Sequence, residues 1–155
     1  MQLFLMRHGE AENSFSNDAQ RSLTTQGFIE SQKAGVWLND TVNHIDYALV
    51  SPFKRARQTY EMVQSITTVA HTEFSEDIIP SGSVELVHDY IQVLAQERNL
   101  KSLIVVSHMP LVSYLVDSFC GQLRSILFTT ASVARLDYDI EANKAVFGEL
   151  YLPEK

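Results

Sequence analysis

A chain of 155 residues, 45% apolar and 20% charged, can bury a proper core, and a single domain over residues 1–155 is expected. Its formal net charge of −7 argues against a surface built for nucleic acid or for an anionic membrane, so neither is expected as a partner. The one cysteine, Cys120, excludes an internal disulfide, and no run reads as a signal peptide or reaches membrane-spanning length, so a cytoplasmic location is expected.

In chain order, Leu3 to Met6 reads as a buried strand that runs into Arg7-His8-Gly9. Gly27 to Leu38 carries Phe28, Ala34, Trp37 and Leu38 at helical spacing, with Thr24 as its N-cap. Tyr47 to Val50 is a second strand. Ser51-Pro52 then opens a helix reaching Ser65, a cap residue followed by proline in the first helical position. After a polar connection, Val84 to Glu97 is helical, with Leu86, Val87, Tyr90, Ile91 and Leu94 on one face. Leu103 to Val106 is an aliphatic run suited to a sheet centre, and Pro110 to Phe119 is helical again. Cys120, ending that stretch, reads as a buried structural thiol. Ser132 to Asp137 and Ala145 to Leu150 form a hairpin around a turn near Glu141 to Asn143. The order predicts an α/β fold, a three-layer α/β/α sandwich with a mostly parallel mixed sheet.

Three of the predicted strands end in chemically similar groups. The first ends in Arg7-His8, where Gly9 permits a sharp turn and the close approach of a ligand. The second runs into Ser51-Pro52-Phe53-Lys54-Arg55-Ala56-Arg57, which puts cations in the first turns of a helix. That is the disfavoured end for positive charge, unless an anion sits there. Lys54 and Arg57 are expected to face water, leaving Arg55 for the anion. The third ends in Ser107-His108-Met109-Pro110. Parallel strands bring such termini to one sheet edge, where α/β proteins bind ligands. Two arginines, two imidazoles and a helix N-terminus suit a phosphoryl group or another oxyanion. Metal binding is the rival use for paired histidines, but no third ligand accompanies His8 and His108, and Arg7 would repel a cation. No metal or cofactor is therefore expected. His44, His71 and His88 lack ligand-like spacing and read as surface or structural residues.

These residues carry a resemblance. Arg7-His8-Gly9 matches the RHG signature of the histidine phosphatase superfamily, the phosphoglycerate mutase-like branch 1. The element S-P-x-x-R-A-x-Q-T stands in full from Ser51 to Thr59, and S-H-x-P stands at Ser107 to Pro110. Leu23-Thr24-Thr25-Gln26-Gly27 resembles the family's L-T-x-x-G helix start. Within the superfamily the chain is most similar to the SixA-type phosphohistidine phosphatases, and its short length leaves little room for insertions over the pocket.

The resemblance implies that His8 is the nucleophile of a covalent phosphohistidine mechanism, with Arg7, Arg55 and His108 holding the phosphoryl oxygens. His108 is expected to be protonated once phosphate is bound. Arg21 is either a pocket-edge contact or a solvated loop arginine. For a general acid the best match by position is Asp77, with Glu76 second, although SixA-type members are known for having no obvious acid. Phe128-Thr129-Thr130 either line the pocket or pack a loop. The implied activity is a phosphatase acting on the phosphorylated histidine-phosphotransfer domain of a sensor kinase. A small-molecule phosphomonoesterase and a non-catalytic module binding a phosphorylated partner are the alternatives.

Overall fold

The structure is a computed structural model, and it describes residues 1–13 and 16–154. Ten elements follow one another: β1 (Gln2–Arg7), α1 (Thr25–Thr41), β2 (His44–Val50), α2 (Lys54–Gln64), β3 (Thr68–Phe74), α3 (Val84–Arg98), β4 (Ser102–Ser107), α4 (Leu111–Cys120), β5 (Val133–Asp139) and β6 (Lys144–Tyr151). Short 3-10 turns lie at Asp18–Gln20 and Glu76–Ile78.

One six-stranded sheet runs in the order β3-β2-β4-β1-β5-β6. Its first four strands pair in parallel, and β5 and β6 add an antiparallel hairpin. The central strands are apolar on both faces because helices cover both. Along β1, Leu3 and Leu5 enter one core with Leu103, Val105 and the inner faces of α3 and α4. The alternate residues Phe4 and Met6 enter the other, with Ala34 and Leu38 of α1 and Ala56, Tyr60 and Val63 of α2. Each large aliphatic side chain so buried contributes roughly 1.5–3 kcal/mol. The expected sandwich is the observed one. Cys120 is buried, as expected.

The differences from expectation are local. The polar connection is strand β3, an edge strand paired with β2. Its exposed residues hide the alternation that usually betrays a strand, while its β-branched Thr68, Val69 and Thr72 suit an extended chain. Helix α2 starts at Lys54, not Pro52: Phe53 is still extended, and no side chain caps the helix. On α3, Val87, Ile91 and Leu94 face the core, but Leu86 and Tyr90 are exposed. The Tyr90 hydroxyl donates to Glu73 on β3, which turns that ring outward.

Register then fixes where the three strand ends fall. Arg7 lies opposite Ser107, and Val50 opposite Val106, so the residues that follow emerge level with one another. The ladder continues one step, with His8 N–H donating to Ser107 C=O and Ser51 N–H to Val106 C=O. His8, Ser51 and His108 thus share one rim.

Candidate active site

The rim is built from the backbone outward. Gly9 packs where α1 begins: a β-carbon there would come within 2.6 Å of the Gly27 carbonyl oxygen and 2.8 Å of Ser31 Oγ. Gly27 is as constrained, since its own β-carbon would meet the Glu10 carbonyl at 2.1 Å. The glycine of Arg7-His8-Gly9 is therefore required by close packing of the loop against α1, and its φ is not in the left-handed region. Thr24 caps α1 as expected, accepting from Gly27 N–H at 3.0 Å. From α2, the buried Thr59 hydroxyl accepts from Gly9 N–H at 2.9 Å and donates to Arg55 C=O at 2.7 Å. Gln58 Oε1 accepts from Leu23 N–H at 2.7 Å. Arg55, Gln58 and Thr59 share a helix face, so one face both supplies a cation and fastens the loop that carries His8.

His8 is 7% exposed and His108 1% exposed. Their ring centroids are 5.2 Å apart. His8 Nδ1 lies 2.7 Å from the Gly9 carbonyl oxygen, which can only accept, so the ring proton sits on Nδ1 and the lone pair on Nε2. Arg55 Nε donates to that lone pair at 3.3 Å. Burial drives the His8 pKa down to about 3. The Gly9 hydrogen bond opposes this, and the positive charges of Arg55, Arg7 and Arg21 add to it. His108 is pushed down to about 2 by burial first, then by His8 and Arg55. Both imidazoles are neutral in the free protein, including His108, for which protonation is expected only with an anion present.

The arginines are held firmly. Arg7 Nη1 donates to Phe128 C=O at 2.8 Å. Arg55 Nη1 donates to Asp18 C=O at 2.8 Å and Nη2 to Asp18 Oδ2 at 3.2 Å. The Phe53 ring lies beneath the Arg55 guanidinium at 5.1 Å and meets the His108 ring edge-on, also at 5.1 Å. His108 Nε2 is 2.7 Å from Ser51 Oγ, which in turn accepts from Phe53 N–H. Ser51, expected as a helix cap, instead orients the imidazole. In this cluster two buried nitrogens are left over: Arg7 Nε, a donor, and His108 Nδ1, a donor when Ser51 gives its proton to Nε2, have no hydrogen-bond partner among the described residues. Buried unpaired donors are costly in a folded protein unless a ligand completes them.

The other predicted residues fall around this cluster. Arg21 donates to Glu12 C=O and to Asp18 Oδ1 at the pocket edge, and its charge is felt at His8. Lys54 is partly covered and Arg57 exposed. Asp77 is exposed on the Glu76–Ile78 turn, and among the described residues no hydrogen bond or ion pair joins its carboxylate to His8, Arg7, Arg55 or His108. Phe128 serves the site through its backbone, and Thr130 donates to Glu30. Two contributors escape the sequence reading. Asp18 engages Arg55 and Arg21 together, and Glu30, 1% exposed, accepts from Glu10 N–H and Thr130 Oγ1. Glu30 is the counter-charge felt by Arg7.

Comparison with known proteins agrees with this geometry. The family model described as "Histidine phosphatase superfamily (branch 1)" matches residues 3–78. The phosphohistidine phosphatase SixA of Escherichia coli (strain K12) is 40% identical over 144 residues, covering 92% of this chain and 89% of that protein. A SixA homologue of Haemophilus influenzae is 37% identical over 147 residues, covering 90% and 89%. The structure of the protein histidine phosphatase SixA complexed with tungstate superposes with a TM-score of 0.91 at 38% identity, covering 97% of this chain and 96% of that one. With identity of this extent spanning the strand ends and the arginine helix, the chain belongs to the histidine phosphatase superfamily.

Proposed function

We propose that this protein is a phosphohistidine phosphatase whose substrate is a phosphorylated histidine-phosphotransfer domain, and that His8 is its nucleophile. The observation that carries the reading is the fixed tautomer of His8: the Gly9 carbonyl takes Nδ1–H, so the lone pair lies on Nε2, where only the long 3.3 Å contact from Arg55 Nε must give way to phosphorus. A neutral imidazole is the nucleophilic form, and burial keeps it neutral across the physiological range.

The reaction divides into two displacements. Nε2 attacks phosphorus and forms a P–N bond as the substrate's own P–N bond breaks, and the departing imidazole takes a proton from solvent water. Water then attacks the phosphoryl group, the bond to His8 Nε2 breaks, and inorganic phosphate leaves. Arg7 and Arg55 neutralise the transferring oxygens. Arg7 Nε and His108 Nδ1, the unpaired buried nitrogens, are suited to the same task once each carries a proton. Ser51 accepts from Phe53 N–H and can give its own proton to His108 Nε2, which puts the imidazole N–H on Nδ1, the atom without a partner. Bound phosphate also favours the protonated imidazole.

A labile P–N bond to imidazole asks less of a general acid than an alkoxide does. That supports turnover without a carboxylate in contact with the cluster, leaving Asp77 a minor part. The tungstate in the related SixA structure is an oxyanion like phosphate, and 38% identity supports an equivalent use of this pocket. The connection from α2 to α3 is only β3 and one short turn, so the chain carries no inserted cover there and the pocket can accept a side chain projecting from a folded partner.

The test is a three-way comparison with a phosphohistidine-bearing phosphotransfer domain, a phosphoserine protein and a chromogenic phosphate ester. Selective clearance of phosphohistidine is expected. Faster clearance of the ester would assign the pocket to small molecules, and binding without clearance would make the chain a recognition module.

A further inference from the structure

Arg55 is already occupied by an anion that belongs to the protein. Asp18 spans two guanidinium groups, with Oδ1 on Arg21 Nη1 at 3.1 Å and Oδ2 on Arg55 Nη2 at 3.2 Å. This is the posture a phosphoryl group would take across the same two arginines. The two partners differ greatly in exposure: the Asp18 side chain is 58% exposed, whereas the Arg55 side chain is 5% exposed. Releasing the carboxylate to water is therefore inexpensive, while the buried guanidinium always needs an anionic partner. Partial burial alone would raise the Asp18 pKa, but the hydrogen bonds and charges of Arg21 and Arg55 outweigh it and hold the carboxyl below its ordinary range. It is an anion at neutral pH.

We infer that Asp18 is an affinity-determining residue, a built-in competitor that surrenders Arg55 and Arg21 to the substrate's phosphoryl group and reclaims them as inorganic phosphate departs. The inference rests on the reading of this rim as a phosphate site. Its chemical consequence is a site tuned for turnover rather than retention. Three arginines around a buried imidazole would otherwise hold the dianionic product, and substrate would compete poorly with free phosphate in solution. The carbonyl of Asp18 keeps its own bond to Arg55 Nη1, so the guanidinium stays aimed while its charge changes partner.

The turn that presents Asp18 does not depend on its side chain. Asn17 caps it, accepting from Ala19 N–H, and Arg21 N–H returns to the Asp18 carbonyl. Asp18→Asn should therefore fold and keep the backbone contact while losing the charge. Binding of inorganic phosphate to the free protein, measured by titration calorimetry at neutral pH, should tighten about tenfold in Asp18→Asn. Asp18→Ala should tighten it as well, and product inhibition by phosphate should strengthen in parallel. Asp40→Asn, the same charge change at the opposite end of α1, controls for net charge and should leave binding unchanged. Unchanged or weaker phosphate binding in both Asp18 variants, with thermal midpoints intact, would overturn the inference and make Asp18 a mere prop for Arg55. The phosphatase reading would survive that result. No phosphate binding to the wild type would overturn both.

Discussion

Arg55 Nε donates to His8 Nε2 at 3.3 Å, so a buried guanidinium rests on the lone pair that attacks phosphorus in the proposed reaction. The contact does two things before any substrate arrives. It lowers the basicity of the imidazole, and in the proposed reaction it sets the cation beside the transferring oxygens. Arg55→Lys keeps a charge but loses the planar fork that reaches His8 and Asp18 together. A fall of about 100-fold in kcat/KM is expected from steady-state kinetics with phosphohistidine substrate, with most of the loss in kcat.

Ser51 acts one step removed. Ser51→Ala takes away the partner of His108 Nε2 and the acceptor of Phe53 N–H. A single orienting hydrogen bond predicts about a tenfold loss in kcat/KM. A positioning role also predicts that Ser51→Thr restores much of it, whereas His108→Ala is worse than either. Kinetics of the three variants decide the order.

The short phrases at the strand ends carry much of this site in readable form. Arg7-His8-Gly9, Ser51 through Thr59 and Ser107-His108 each follow a strong aliphatic run, so the parallel sheet that places them is implied by the same residues. The four-residue spacing of Arg55 and Thr59 already states that cation and loop fastener share a helix face. What stays hidden depends on distance along the chain. Asp18 reaches Arg55 from 37 positions away, and as one acid in a polar loop it looks like any solvated residue. Glu30 meets Thr130 across 100 positions, and a glutamate in a helix gives no hint that it is buried. The edge strand β3 is missed because its exposed side chains erase the alternation, and Tyr90 misleads because Glu73 draws the ring outward.

Glu30 makes a prediction about stability. Its carboxylate satisfies Glu10 N–H and Thr130 Oγ1, and Arg7 feels its charge. Glu30→Ala leaves those donors unpaired and is expected to destabilise the fold by about 1–3 kcal/mol in denaturant titration. Glu30→Gln retains an acceptor and should cost less.

The two histidines predict a pH dependence with a definite sign. Their pKa values in the folded protein lie near 3 and 2, below the ordinary histidine value of 6.5. The unfolded chain therefore binds more protons, and the stabilisation present above pH 6.5 declines as pH falls from there toward about 3 for His8 and about 2 for His108. Replacing either residue with Gln should flatten the curve of stability against pH in that window. Added phosphate should also protect the wild type there, because an anion raises both values.

Asp77 tests the view that the labile P–N bond needs little acid help. Its carboxylate stands apart from the cluster, so Asp77→Ala should change the rate with phosphohistidine substrate by less than about tenfold. A loss nearer 1,000-fold, again the scale of general acid catalysis at about 10²–10⁴, would restore Asp77 as the proton donor.

In the proposed reaction His8 Nε2 takes the phosphoryl group. Brief mixing of enzyme with the phosphorylated phosphotransfer domain, an alkaline quench that preserves phosphoimidazole, and peptide mass spectrometry should place one phosphoryl group on His8. His8→Ala should carry none and should lose activity by about 10³-fold or more. Clearance of phosphohistidine at the wild-type rate by His8→Ala, or a phosphoryl group found on another residue, would rule out His8 as the nucleophile.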